Sequence, residues 1–72
     1  MIGTIRTVKL DRNFAFIEPQ EPGPDVFAHS DKFDPEMVWD ETLKMRRVEF
    51  DVEDSPRGPR AINVRPATHK GA

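Results

Sequence analysis

Asn13-Phe14-Ala15-Phe16-Ile17-Glu18-Pro19 and Asp25-Val26-Phe27-Ala28-His29 are the two stretches on which the fold turns. Between them, Pro19-Gln20-Glu21-Pro22-Gly23-Pro24 places three prolines and a glycine in six residues, a composition that only a turn or loop accommodates. Each flanking stretch is short and rich in aromatic and branched residues, as strands are. Alternate residues of a strand point to opposite faces. Phe14 and Phe16 therefore share one face, and Ala15 and Ile17 the other. Phe27 and His29 share one face, and Val26 and Ala28 the other. The first of the two strands has no polar side.

Working outward, three more strands are expected. Ile2–Lys9 is rich in β-branched residues. Arg47–Glu53 alternates, with Val48, Phe50 and Val52 on one face and Arg47, Glu49, Asp51 and Glu53 on the other. After the turn Ser55-Pro56-Arg57-Gly58-Pro59 comes Arg60–Val64, which Pro66 ends. Residues 30–45 form a long connection. Ser30-Asp31-Lys32-Phe33 is expected to start a helical turn capped by Ser30 or Asp31, and Pro35 interrupts the segment after it. Five short strands between Gly/Pro turns give an all-β domain. Closing them into a small barrel removes the exposed edges that an open sheet would leave.

The chain has 72 residues and no cysteine. That length holds one small core, and the lack of cysteine excludes a disulfide framework and thiolate metal sites. No apolar run approaches the ~18 residues of a membrane span, and Arg6 and Lys9 interrupt the N-terminus, so neither a signal peptide nor a membrane association is expected, and the address is read as cytoplasmic. Net charge is −2, but it is unevenly spread. Residues 1–17 set Arg6, Lys9 and Arg12 against Asp11 alone. Residues 18–43 set Lys32 against eight carboxylates, and residues 44–72 carry seven cations against four carboxylates. Pairing of the first and last segments would build a local basic face, which is what matters for meeting phosphates.

The barrel interior is expected to hold Ile5, Val8, Ala15, Ile17, Val26, Ala28, Val48, Phe50, Val52, Ala61 and Val64. Nothing remains to form a second layer over Phe14, Phe16 and Phe27 unless the 30–45 connection, with Phe33, Met37, Val38 and Trp39, folds across them. Three rings and the His29 imidazole are then expected in water, and an exposed aromatic patch marks a binding surface. Arg6, Lys9 and Arg12 lie beside it in sequence, and Arg57 and Arg60 approach it across the sheet. Rings set among cations suit unpaired bases, with rings stacking on bases and cations meeting phosphates. A duplex offers no free base faces, so single strands are the expected ligand. Taken alone, His29 reads as a surface or capping residue.

Phe14-Ala15-Phe16-Ile17 followed by Val26-Phe27-Ala28-His29 resembles the two ribonucleoprotein motifs of the cold-shock domain, roughly Lys-Gly-Phe-Gly-Phe-Ile and Val-Phe-Val-His-Phe. Gly3-Thr4-Ile5-Arg6 is similar to the family's opening Gly-Lys-Val-Lys, and Thr42-Leu43 to the Thr-Leu ahead of strand four. Arg57-Gly58-Pro59-Arg60-Ala61-Ile62-Asn63-Val64 is similar to Arg-Gly-Pro-Gln-Ala-Ala-Asn-Val. The resemblance spans about residues 3–66. It implies a five-stranded antiparallel barrel of the oligonucleotide-binding type over residues 1–66, with 67–72 as a tail. It also implies binding of single-stranded RNA and DNA with low sequence selectivity, and RNA chaperone action; a monomer without cofactors is expected. Carried over position by position, Phe14, Phe16, Phe27 and His29 match stacking residues, Arg6, Arg12 and Arg57 basic contacts, and Asp25 a polar base contact. Departures are Thr7 for a stacking Trp, Ser30 for a stacking Phe, Lys9 for an Asn, and Asn13 and Ala15 for the glycines of the first motif. Asn tolerates positive φ, so Asn13 is expected to keep the glycine's turn geometry. Trp39 is either a replacement stacking platform or a lid over the apolar face.

Thr7, Ser30 and the acidic middle are also compatible with a second function, a protein-interaction module that keeps the barrel and has a weakened nucleic-acid face. Catalysis is not expected: Asp25 and His29 share a strand face, but no second histidine, nucleophile pair or enclosed pocket accompanies them.

Overall fold

A computed structural model describes residues 1–67. Strands β1 (Ile2–Lys9), β2 (Phe14–Pro19), β3 (Val26–His29), β4 (Arg47–Glu53) and β5 (Arg60–Pro66) form a closed barrel in the order β1-β2-β3-β5-β4. The pairings β1–β2, β2–β3, β1–β4 and β4–β5 are antiparallel, and the remaining seam is a parallel pairing of Phe27 with Arg60. β2 starts one residue later than the sequence pattern places it, because Asn13 adopts φ 60° in the turn before it. Asn is one of the few residues that enter this left-handed region readily.

Two irregularities set which side chains face inward. Ile5 pairs with Ile17, but Thr7 pairs with Phe16, so Arg6 is an extra residue in β1. Such a bulge switches the strand's alternation. It lets Ile5 face the core and leaves Val8, three residues on, packed against it. The same device recurs in β5: Asp51 pairs with Ile62 and Glu49 with Arg65, with Asn63 at φ 54° between them. Ala61 and Val64 can therefore both be buried.

The core comprises Ile5, Ala15, Ile17, Val26, Ala28, Val48, Phe50, Ala61 and Val64, together with Phe33, Met37 and Leu43. The last three come from the 30–45 connection and were not expected inside. Val52 was expected in the core but is 38% exposed. It faces Ala61, too short to cover it, one residue before β4 ends. The connection runs along β5, where Phe33 bridges Val64 and the Asp34 amide donates to the Val64 carbonyl at 2.7 Å. It ends on β1, where the Met45 amide donates to the Ile5 carbonyl at 2.7 Å. Two short 3-10 turns punctuate it, Ser30–Lys32 and Glu41–Leu43. The first is capped by His29, not by Ser30 or Asp31, since the imidazole Nδ1 accepts from the Asp31 amide. Of the expected tail at 67–72, all but Ala67 lies outside the described residues.

Candidate nucleic-acid interface

Core packing inside the barrel forces the rings out. Ala15 and Ile17 are fully buried, so Phe14 and Phe16, which alternate with them, project from the outer face. Val26 and Ala28 do the same for Phe27 and His29. Register then gathers them: Phe16 is directly opposite Phe27, and Phe14 directly opposite His29. Phe14 and Phe27 have centroids 5.2 Å apart. Phe16 meets Phe14 at 5.6 Å and Phe27 at 6.0 Å, both edge-on. All three rings remain partly exposed. Nothing from the 30–45 connection joins them in an aromatic contact.

Trp39 lies elsewhere. Its ring meets Phe33 edge-on at 5.3 Å, and it packs on the core with its indole N–H buried and unpartnered. The connection therefore covers the barrel interior with Phe33, Met37 and Leu43, and the three-ring cluster stays open.

Cations border the cluster on two sides. Lys9 is paired with Phe14 across β1–β2. Arg6, at the bulge, lies 3.7 Å from Glu18, and together with Lys9 and Lys44 it lines a groove at the end of β1. Lys44 was not a candidate from sequence; its place depends on the packing of the second 3-10 turn on β1. On the other side, Phe16 and Phe27 form one wall of a groove of about 480 Å³ whose opposite wall is the β4–β5 loop, including Ser55, Arg57 and Pro59. That loop is closed on itself by reciprocal backbone hydrogen bonds between Ser55 and Gly58, at 3.1 and 2.9 Å. Arg60 adjoins the same groove and is held by Glu53. Arg12, in the β1–β2 turn, and Asp25, just before β3, are exposed. Among the described residues, Lys9, Arg12 and Arg57 make no ion pair, whereas Arg6 and Arg60 each have a carboxylate. His29 Nδ1, which accepts from the Asp31 amide, also lies 2.9 Å from an Asp31 carboxylate oxygen, so the imidazole sits against the 3-10 turn beside the rings. Among the described residues no three His, Asp or Glu side chains gather as metal ligands.

The sequence pattern of the 'Cold-shock' DNA-binding domain matches residues 1–67, nearly the whole chain. The chain belongs to the cold-shock domain family. The cold shock-like protein of Aquifex aeolicus is 41% identical over 64 residues, covering 88% of this chain and 89% of its own. The major cold shock protein of Micrococcus luteus is 32% identical over 63 residues, covering 88% of this chain and 92% of its own. Among solved structures, drosophila Unr CSD456 superposes with a TM-score of 0.75 at 24% identity; the match covers 99% of this chain and 28% of that one, and it supports the fold. As a cold-shock domain, the chain is a nucleic-acid-binding protein on a closed five-stranded barrel. No helix among the described residues is long and apolar enough to cross a membrane.

Proposed function

We propose that this cold-shock domain binds unpaired RNA or DNA on the face formed by Phe14, Phe16, Phe27 and His29, and acts as an RNA chaperone in the cytoplasm. The observation that carries this reading is the trio of partly exposed rings within 6.0 Å of one another, bordered by cations. A water-facing cluster of this kind gains most from covering its rings with bases, and every base has a face to offer, so selectivity is low. Lys9, Arg12 and Arg57 meet phosphates, joined by Arg6, and Asp25 takes a polar base contact. A protein that binds only the unpaired state shifts the pairing equilibrium without an energy source. Nothing in the site calls for catalysis or a cofactor, and one copy supplies the whole face.

Fluorescence anisotropy of labelled strands tests this. A single strand binds and the matching duplex competes poorly. Phe14→Ala or Phe27→Ala each weakens binding by about 1–3 kcal/mol, the worth of one base–aromatic stack. Equal binding of duplex and single strand, or unaltered affinity in both variants, contradicts the reading.

A further inference from the structure

Arg60 holds a position that no other cation of the interface shares. Register places Thr7, Phe16, Phe27, Arg60 and Glu53 in one row across β1, β2, β3, β5 and β4. Within that row Arg60 sits between a ring and a carboxylate. Its Nε and Nη2 both donate to the same Glu53 oxygen, at 2.7 and 2.6 Å. A guanidinium carries five N–H donors in a fixed planar fork and no acceptor. Glu53 occupies the Nε–Nη2 edge, which leaves the Nη1–Nη2 edge with a second pair of parallel donors. Arg60 and Phe27 are also the two residues common to both grooves beside the rings, one walled by Phe16 and Arg57, the other by His29 and Lys32. A base stacked on Phe27 therefore presents its edge to Arg60.

We propose that Arg60, oriented by Glu53, makes the subsite at Phe27 prefer bases that offer two adjacent acceptors on one edge, namely guanine and cytosine, over thymine, uracil and adenine. Guanine presents N7 and O6 side by side. Unpaired cytosine presents N3 and O2. Thymine and uracil interpose an N3–H donor between their carbonyls, and adenine sets its amino donor beside N1 and N7 and has no second acceptor next to N3, so a two-donor fork is matched only once. The Glu53 carboxylate also offsets the charge of Arg60, which weakens its pull on phosphates and leaves base-edge contact as its distinctive contribution. The family pattern has Gln at this position. Its amide both donates and accepts, and so imposes no two-donor demand. Glu53 is a positioning residue, and Arg60 the one that reads the base.

This inference rests on the stacking reading above, and one set of titrations separates the two. The full chain is titrated with short oligothymidine and with the same strand carrying a single guanine, cytosine or adenine; a strand free to slide brings the odd base to the subsite. The guanine and cytosine strands are expected to bind about tenfold tighter than oligothymidine, with adenine indistinguishable from it. Tightening by guanine alone or by cytosine alone also supports the proposal and identifies the edge that is read. In Arg60→Gln the ratio falls to about one. In Arg60→Lys it falls likewise while the salt dependence of binding is retained, because the charge persists and the fork does not. Glu53→Ala releases the guanidinium, so the ratio drops while affinity for oligothymidine rises. Equal affinity for all four strands, or a ratio that survives Arg60→Gln, overturns the inference and leaves the stacking platform standing. Failure to bind any single strand removes both.

Discussion

Thr7 pairs directly with Phe16 at the end of the row that continues into Phe27 and Arg60. A methyl and a hydroxyl occupy the place where the family pattern has an indole, so the ring surface stops one strand short. Thr7→Trp extends it onto β1, and tightening of single-strand binding by about 1–3 kcal/mol in an anisotropy titration is the expected result. Unchanged affinity would mean that the strand does not cross β1. Gly3 shows the opposite kind of constraint. A β-carbon there would lie 2.6 Å from the Glu18 carbonyl oxygen and 2.8 Å from Ile17 Cγ2, with the Phe50 ring at 3.1 Å. The first obstacle is backbone of a paired strand, which cannot step aside without breaking the β1–β2 ladder. Gly3→Ala is therefore expected to destabilise the fold by about 1–3 kcal/mol, the usual cost of overpacking, read as a lower denaturant midpoint. A domain of this size has little stability to spare.

At the scale of elements, the 30–45 connection is part of the core and not a cover for the rings. Leu43 is 1% exposed although it lies in a 3-10 turn between loop segments. Its truncation to Ala should cost about 2–5 kcal/mol, comparable to losing a strand residue of similar size; a shift below about 0.5 kcal/mol in urea unfolding would show that the connection is dispensable. The strands were legible in the sequence because each is a short run rich in β-branched or aromatic residues set between Gly/Pro turns, and the exposure of Phe14, Phe16 and Phe27 followed from counting inward-facing residues. The roles of Phe33, Met37 and Leu43 were not legible. They follow no strand or helix period, and each reaches the core from a segment fixed by contacts with distant strands, such as the Phe33–Val64 bridge. The two bulges were half visible. Ile5 with Val8, and Ala61 with Val64, are spaced by three and cannot both face inward on a regular strand, yet the apolar residues alone do not say that Arg6 and Asn63 absorb the difference. Arg57 and Arg60 could be named as candidates from sequence, but the Glu53 carboxylate that fixes Arg60 could not, since it looks like one more charge on the outer face of β4.

For the whole molecule, the acidic total hides the electrostatics that matter. The net charge is −2, yet the ring-bearing face is bordered by Lys9 and Arg57, with Arg12 in the β1–β2 turn that leads into it, none of them ion-paired among the described residues. Arg6 is a weaker contributor, because Glu18 lies 3.7 Å away and both are about half exposed. Binding of a single strand releases roughly 0.7 counterions per phosphate neutralised, so three to four such cations give a plot of log Kobs against log salt with a slope of about −2 to −3. Lys9→Gln should make that slope shallower by about 0.7. Glu18→Gln acts in the other direction: it frees Arg6, strengthens binding at low salt and loses its advantage as the Debye length shrinks to about 8 Å at physiological ionic strength. Stacking contributes little to the slope, so Phe16→Ala should lower affinity at every salt concentration and leave the slope unchanged. A flat salt dependence in the unaltered protein would mean that the cations around the rings do not meet phosphates. A slope altered by Phe16→Ala would mean that the rings and the cations do not act as separable parts of one surface.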